Sequence, residues 1–255
     1  VAVNTAIPAQ LMANMVMEAP VTVAADTTFD LNGFNLSAPA VVIEGTLTGT
    51  GSISAPVSGS GSIELVGGNM SLGDLNSDSG FDFVGSIHLN GHTLELHDAG
   101  AALVSGSATL GTSGTLATAK DLTITATGRL SGSGEIVSQE LWHQGTIEAS
   151  DHGIVIRGDV RGAGSFPGRA GIVITGTYRP GNSPAIIEFG GDLSLGSDAH
   201  LVLEIDGPTP GTGHDQLNIA GQFTVGGIAE IVLADNYMPT GGQSFNLLNF
   251  GSLDG

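Results

Sequence analysis

The chain has 255 residues, no cysteine, 41 glycines, and 25 acidic against 6 basic residues, for a formal charge of −19. That balance excludes disulfides, thiolate metal sites and cysteine nucleophiles. It disfavours nucleic acid and anionic lipid as partners and leaves cations and neutral surfaces such as glycans. Charged residues are only 12% of the chain and mean hydropathy is +0.24, so disorder is not expected, and no apolar run is long enough to predict a membrane span.

Residues 1–8, VAVNTAIP, read as a short apolar strand ending at Pro8. Leu11, Met12, Met15, Val16 and Ala19 then fall on one helical stripe closed by Pro20. This predicts a short helix that caps the first turn of a stacked array. Residues 1–20 carry no Lys or Arg, so they are not read as a signal peptide; a processed mature N-terminus fits, and so does a boundary within a longer chain. From residue 21 to 255 the pattern is β, and it predicts a single irregular parallel β-helix. DLNGFNL at 30–36 matches HLNGHTL at 88–94. In each, Asn-Gly marks a tight turn because both residues tolerate positive φ.

A longer repeat organises the middle of the chain. Residues 45–64, GTLTGTGSISAPVSGSGSIE, and residues 128–148, GRLSGSGEIVSQELWHQGTIE, share Gly-x-Leu-x-Gly-x-Gly-x-Ile followed by Gly-x-Ile-Glu. A partial third copy begins at Val160, VRGAGSF. Small residues alternate with single aliphatic ones at period 2, and glycines mark the corners, as in short strands bent round a narrow core. Between the two full copies, residues 98–127 read as short strands separated by Gly or Ser-Gly. The Asn-Gly segments lie 58 residues apart and the longer repeats 83 apart, so rungs of about 20–25 residues with variable length are expected.

The C-terminal third carries a family resemblance. YRPGNSPAIIEFGGDLSL at 178–195 is followed by LVLEIDG, then by residues 214–250 from HDQLNIAG to GGQSFNLLNF. This segment, best matched over 178–250 within 176–255, resembles the passenger β-helix of autotransporter-type adhesins and related bacterial surface proteins. Pro180-Gly181-Asn182-Ser183, Asp215-Gln216-Leu217 and Gly242-Gln243-Ser244-Phe245 carry the pattern. Ala185 stands where a Gly is usual, and Gln243 where an Asp is usual. The resemblance implies a right-handed parallel β-helix exported to the cell surface, and it implies no catalytic site.

No catalytic, cofactor or metal site is predicted. Asp74, Asn76, Asp78 and Asp82 have the spacing of calcium-loop positions 1, 3, 5 and 9, but Ser79 and Gly85 stand where that loop needs Gly and a bidentate Glu. An Asx-rich turn is the preferred reading, with calcium the alternative. By alternation His88 and His97 point outward, and His92 follows an Asn-Gly turn; they are read as surface histidines rather than as a metal set. Lyase chemistry would need a basic residue beside acidic calcium ligands. The only Lys is Lys120, and Arg129, Arg157, Arg161, Arg169 and Arg179 could share one face. The Ser-Gly run at 58–62 reads as turns, not as a nucleophile elbow. Trp142, the only Trp, is expected to be buried or partly buried. The expected function is that of an extracellular structural protein of the bacterial surface, an adhesin passenger or a filament subunit that self-associates through residues 1–20 and 245–255. The alternatives are a monomeric glycan-binding module, with a groove near Trp142 or Tyr237, and a polysaccharide-active enzyme.

Overall fold

A computed structural model describes residues 2–3 (backbone only), 9–74, 76, 80–182, 184–234 and 237–254. All named strands join one continuous sheet, and every strand pair in it is parallel. The chain winds through three ladders per turn. The first runs from Ala2–Val3 through Val21–Val23, Val41–Ile43 and Val57–Gly59 to Ile228–Leu233. The second runs from Ala9–Gln10 and Thr28–Asp30 to residues 248–250. The third runs from Met15–Val16 and Asn35–Ser37 to residues 252–254. The class is therefore an all-β parallel β-solenoid, as the alternation predicted.

Period-2 alternation places every second side chain inside. In the second ladder Phe29, Leu47, Ile63, Ile87, Ala108, Leu130 and Ile147 stack in register, and all are buried. Each turn thus roofs the one before, and the core is a continuous column. Rung length varies more widely than expected. Val41 pairs with Val57, 16 residues on, whereas Leu201 pairs with Ala229, 28 residues on.

The predicted capping helix is not present. Met15–Val16 is instead a strand paired with Leu36 and Ser37. Flanking it, the Leu11 and Met17 N–H groups donate to the carbonyls of Asp30 and Ser37 at 2.9 and 2.8 Å. Only Leu11 of the supposed stripe is buried; Met12, Met15 and Val16 are exposed. An isolated helix of two or three turns is marginal in water, while the open edge of the next turn offers these residues a complete ladder. Of the predicted first strand, Ala2–Val3 pairs with Thr22 and Val23, and residues 1 and 4–8 lie outside the described residues.

The Asn-Gly signals are tight corners between the second and third ladders. Asn32, Gly33, Asn90 and Gly91 all have positive φ, from 50° to 84°. Both Asn side chains reach back one turn, Asn32 Nδ2 donating to Leu11 O and Asn90 Nδ2 to Leu65 O, each at 3.0 Å. The partial repeat at Val160 is not equivalent to the full copies. Its Gly162 and Gly164 lie where the chain leaves the first ladder for the second, whereas the Gly-x-Gly of the full copies turns from the second ladder to the third.

Candidate functional site

Both full repeats build the same corner. Residues 46–54 and 129–143 are continuous strands, and each bends from the second ladder to the third at Gly49-Thr50-Gly51 and Gly132-Ser133-Gly134. The following turn is longer there. Leu65 and Met70 pair with Gly49 and Gly51, so residues 66–69 oppose Thr50 alone. Ala149 and Ile154 pair with Gly132 and Gly134, so residues 150–153 oppose Ser133 alone. Four residues overhang one in both copies, and a notch results.

The first notch, about 430 Å³, is lined by Asp30, Asn32, Thr48, Thr50 and Val66, with Gly33 and Gly49 in its backbone. The second is larger, about 570 Å³, and is lined by Thr109, Ser131, Glu148, Ser150 and Arg169, together with small residues. Buried Ser133 holds the second overhang in place: its Oγ donates to Ser150 O and accepts from His152 N. Glu148 on the floor pairs with Arg129. The wall carrying Arg169 lies directly on that floor, because a Cβ on Gly168 would come within 3.0 Å of Ala149 O.

The arginines do not share one face. Arg129 lies on the second ladder with Glu148, Arg157 on the third with Glu135, and Arg161 on the first with Glu140. Hydrogen bonds from Arg157 hold the Glu135 carboxyl below its ordinary range. Arg179 neighbours Arg161 on the first ladder. Trp142 is half-buried beneath Arg161, whose guanidinium sits 4.2 Å from the ring centroid, so that face of the indole is already covered. Tyr237 is tied to a local turn through Gln243 Oε1 and edge-on to Phe245, and does not join Trp142.

Asp74 accepts hydrogen bonds from Asn76 N and Nδ2 at 2.9 and 3.0 Å, the pattern of an Asx turn. Asp82 is exposed in a strand between Ser58 and Leu103, and Asp78 lies outside the described residues. Among the described residues, no group of three or more His, Asp or Glu is placed to hold a metal ion. His88 is in the second ladder, His92 in a corner, and His97 beyond a third-ladder strand, 3.1 Å from Glu95 Oε2.

Among the described residues the sequence pattern did not mark five titratable side chains as buried, Asp98, His143, Tyr178, His214 and Asp215. Burial pushes the Asp98 carboxyl up, against N–H bonds from Asp74 and Phe81. Burial likewise raises Asp215, although its two oxygens accept N–H bonds from Ala185 and Glu204 at 2.8 Å and so clasp two segments. Burial drives His143 down to about 4. Its Nε2 lies 3.2 Å from Ser165 O, and its Nδ1 has no partner among the described residues. His143 lies on the inward phase of its strand, two residues from Leu141, while Asp98 and Asp215 lie just outside strands but two residues from, and so in phase with, buried Leu96 and Leu217. That phase was the signal that could have found them. Compared with known proteins, the chain matches no family model, no curated protein and no solved structure.

Proposed function

We propose that this solenoid is an extracellular structural element of a bacterial surface, an adhesin passenger or filament subunit, which extends by end-to-end stacking and performs no catalysis. The observation that carries this reading is the uninterrupted parallel stack, in which each turn offers the next its strand edges and a slice of core. Ile231, Leu233, Phe250 and Leu253 pair with the buried residues Leu203, Ile205, Ile219 and Phe223, yet they are 57, 50, 40 and 55% exposed. They form a slice of core presented to solvent, edged by strands that are templates for parallel addition. A head-to-tail contact that continues this stacking from one copy to the next does not close, and so it propagates. The resemblance of residues 178–250 to autotransporter passengers supports the surface location.

Sedimentation and electron microscopy of the purified chain test the proposal. Concentration-dependent linear oligomers are expected, favoured by salt that screens the −19 charge, and lost in the double variant Ile231→Lys/Phe250→Lys. Strictly monomeric particles at high concentration and high salt overturn it.

A further inference from the structure

We propose that the second notch is a binding site for a short acidic oligosaccharide, one that carries uronate carboxylates on a hydroxyl-rich chain. The argument begins with size. About 570 Å³ falls in the range of ~300–1,000 Å³ typical of ligand sites, and the notch opens to solvent, so a ligand can enter and leave it. The lining comes next. Thr109, Ser131 and Ser150 offer hydroxyls and Glu148 a carboxylate acceptor, which suits a ligand that carries many hydroxyls and little apolar surface.

Charge then selects the ligand. All six basic residues lie between Lys120 and Arg179 in a chain of net charge −19. Arg129, Arg157 and Arg161 are each neutralised by a glutamate. Arg169 and Arg179 have no ion-pair partner among the described residues, and of these two it is Arg169 that lines the notch. Glu148 is already paired with Arg129, so Arg169 is the cation lining the notch that no carboxylate of the described residues neutralises. A guanidinium fork binds a carboxylate through two parallel hydrogen bonds, and Glu148, held by Arg129, remains an acceptor for a neighbouring hydroxyl. A long polyphosphate would meet repulsion from the rest of the surface, whereas a short chain with one carboxylate every second sugar keeps its charge within the notch, since screening confines the field to ~8 Å at physiological salt. The first notch has the same backbone corner but offers Asp30 and no cation, so it is not assigned this ligand.

The test is a calorimetric and NMR titration of the intact chain with a tetrasaccharide of alternating uronate and N-acetylhexosamine, with an N-acetylglucosamine tetramer as neutral control. Saturable binding below about 10 mM is expected, with shifts centred on Ser131, Glu148 and Arg169. Arg169→Ala should weaken it at least ~10-fold, Arg169→Lys less, and Arg179→Ala not at all. No binding of the acidic tetrasaccharide, equal binding of the neutral one, or equal losses in Arg169→Ala and Arg179→Ala each overturn the assignment. End-to-end assembly is scored separately, so either proposal can fail alone.

Discussion

The two copies of the Gly-x-Leu-x-Gly-x-Gly-x-Ile repeat share a backbone but fill it differently. Where the first copy has Ser58-Gly59, the second has Trp142-His143, at the same place in the first ladder. Near the first copy the cross-section is filled from the next turn, by Phe81 and Phe83 stacked at 5.8 Å. Near the second it is filled by His143 against Phe166, which stacks in turn on Phe189 at 4.5 Å. The next turn yields room there, because a Cβ on Gly164 would come within 3.0 Å of the His143 ring. Glycines at the corner therefore fix the path of the chain, while the bulk of the core moves between neighbouring turns as long as each level is filled once.

The largest effect should come from the shared corner. Gly51 and Gly134 have φ of 128° and 143°, and a Cβ on either would come within 3.0 Å of a carbonyl oxygen, of Phe34 and Gly114 respectively. Each Gly→Ala change should cost about 3 kcal/mol or more in apparent unfolding free energy. Gly67→Ala, in the first overhang, meets nothing closer than Thr50 Cγ2 at 4.0 Å and should cost about 1 kcal/mol for its positive φ alone. Urea denaturation of the three variants checks this ranking; a mild Gly134→Ala would break the equivalence of the two corners.

A smaller effect separates the copies by pH. His143 has its folded pKa depressed, from 6.5 to about 4. The stability it confers is therefore complete above pH 6.5 and is lost as pH falls toward 4, by up to about 3 kcal/mol. Asp98 and Asp215, both raised by burial, act in the opposite sense, favouring the fold as pH falls toward the unfolded carboxylate range. The His143 contribution is accordingly read as the difference between wild type and His143→Leu, measured by denaturation at pH 7 and pH 4. Wild type should lose more than the variant over that interval; parallel losses would show that the ring is not sealed from solvent. The smallest effect is expected at the rim of the second notch. Arg129→Ala removes a half-exposed ion pair with Glu148 and should change stability by no more than about 1 kcal/mol. A larger loss in a salt-dependent melt would make that pair part of the corner itself.

Much of this was legible along the chain. Alternation identified the inward residues, the glycines identified the corners, and Asn-Gly identified two tight turns, because strand phase and positive φ are local properties of the chain. Residues 11–19 misled because their apolar spacing satisfies a helical stripe, and only the edge presented by residues 30–37 makes extension the better choice. The third repeat misled because Gly-x-Gly permits a sharp corner without saying which corner. For the histidines, the inward phase of His143 was present in the sequence, but its tolerance depended on Gly164, 21 residues later, where a neighbouring turn leaves space.

By itself the sequence determined that this chain is a stack of short strands round a narrow aliphatic core, since period-2 burial and glycine φ preferences act within a few residues. Only the tertiary structure decided which residues oppose which across successive turns. Rung lengths differ, and register depends on how many residues each corner absorbs. That count placed four residues over one at both repeats, set Arg169 beside Glu148, and stacked Ile231 and Phe250 on Leu203 and Ile219, because contacts between turns arise from stacking and not from proximity along the chain.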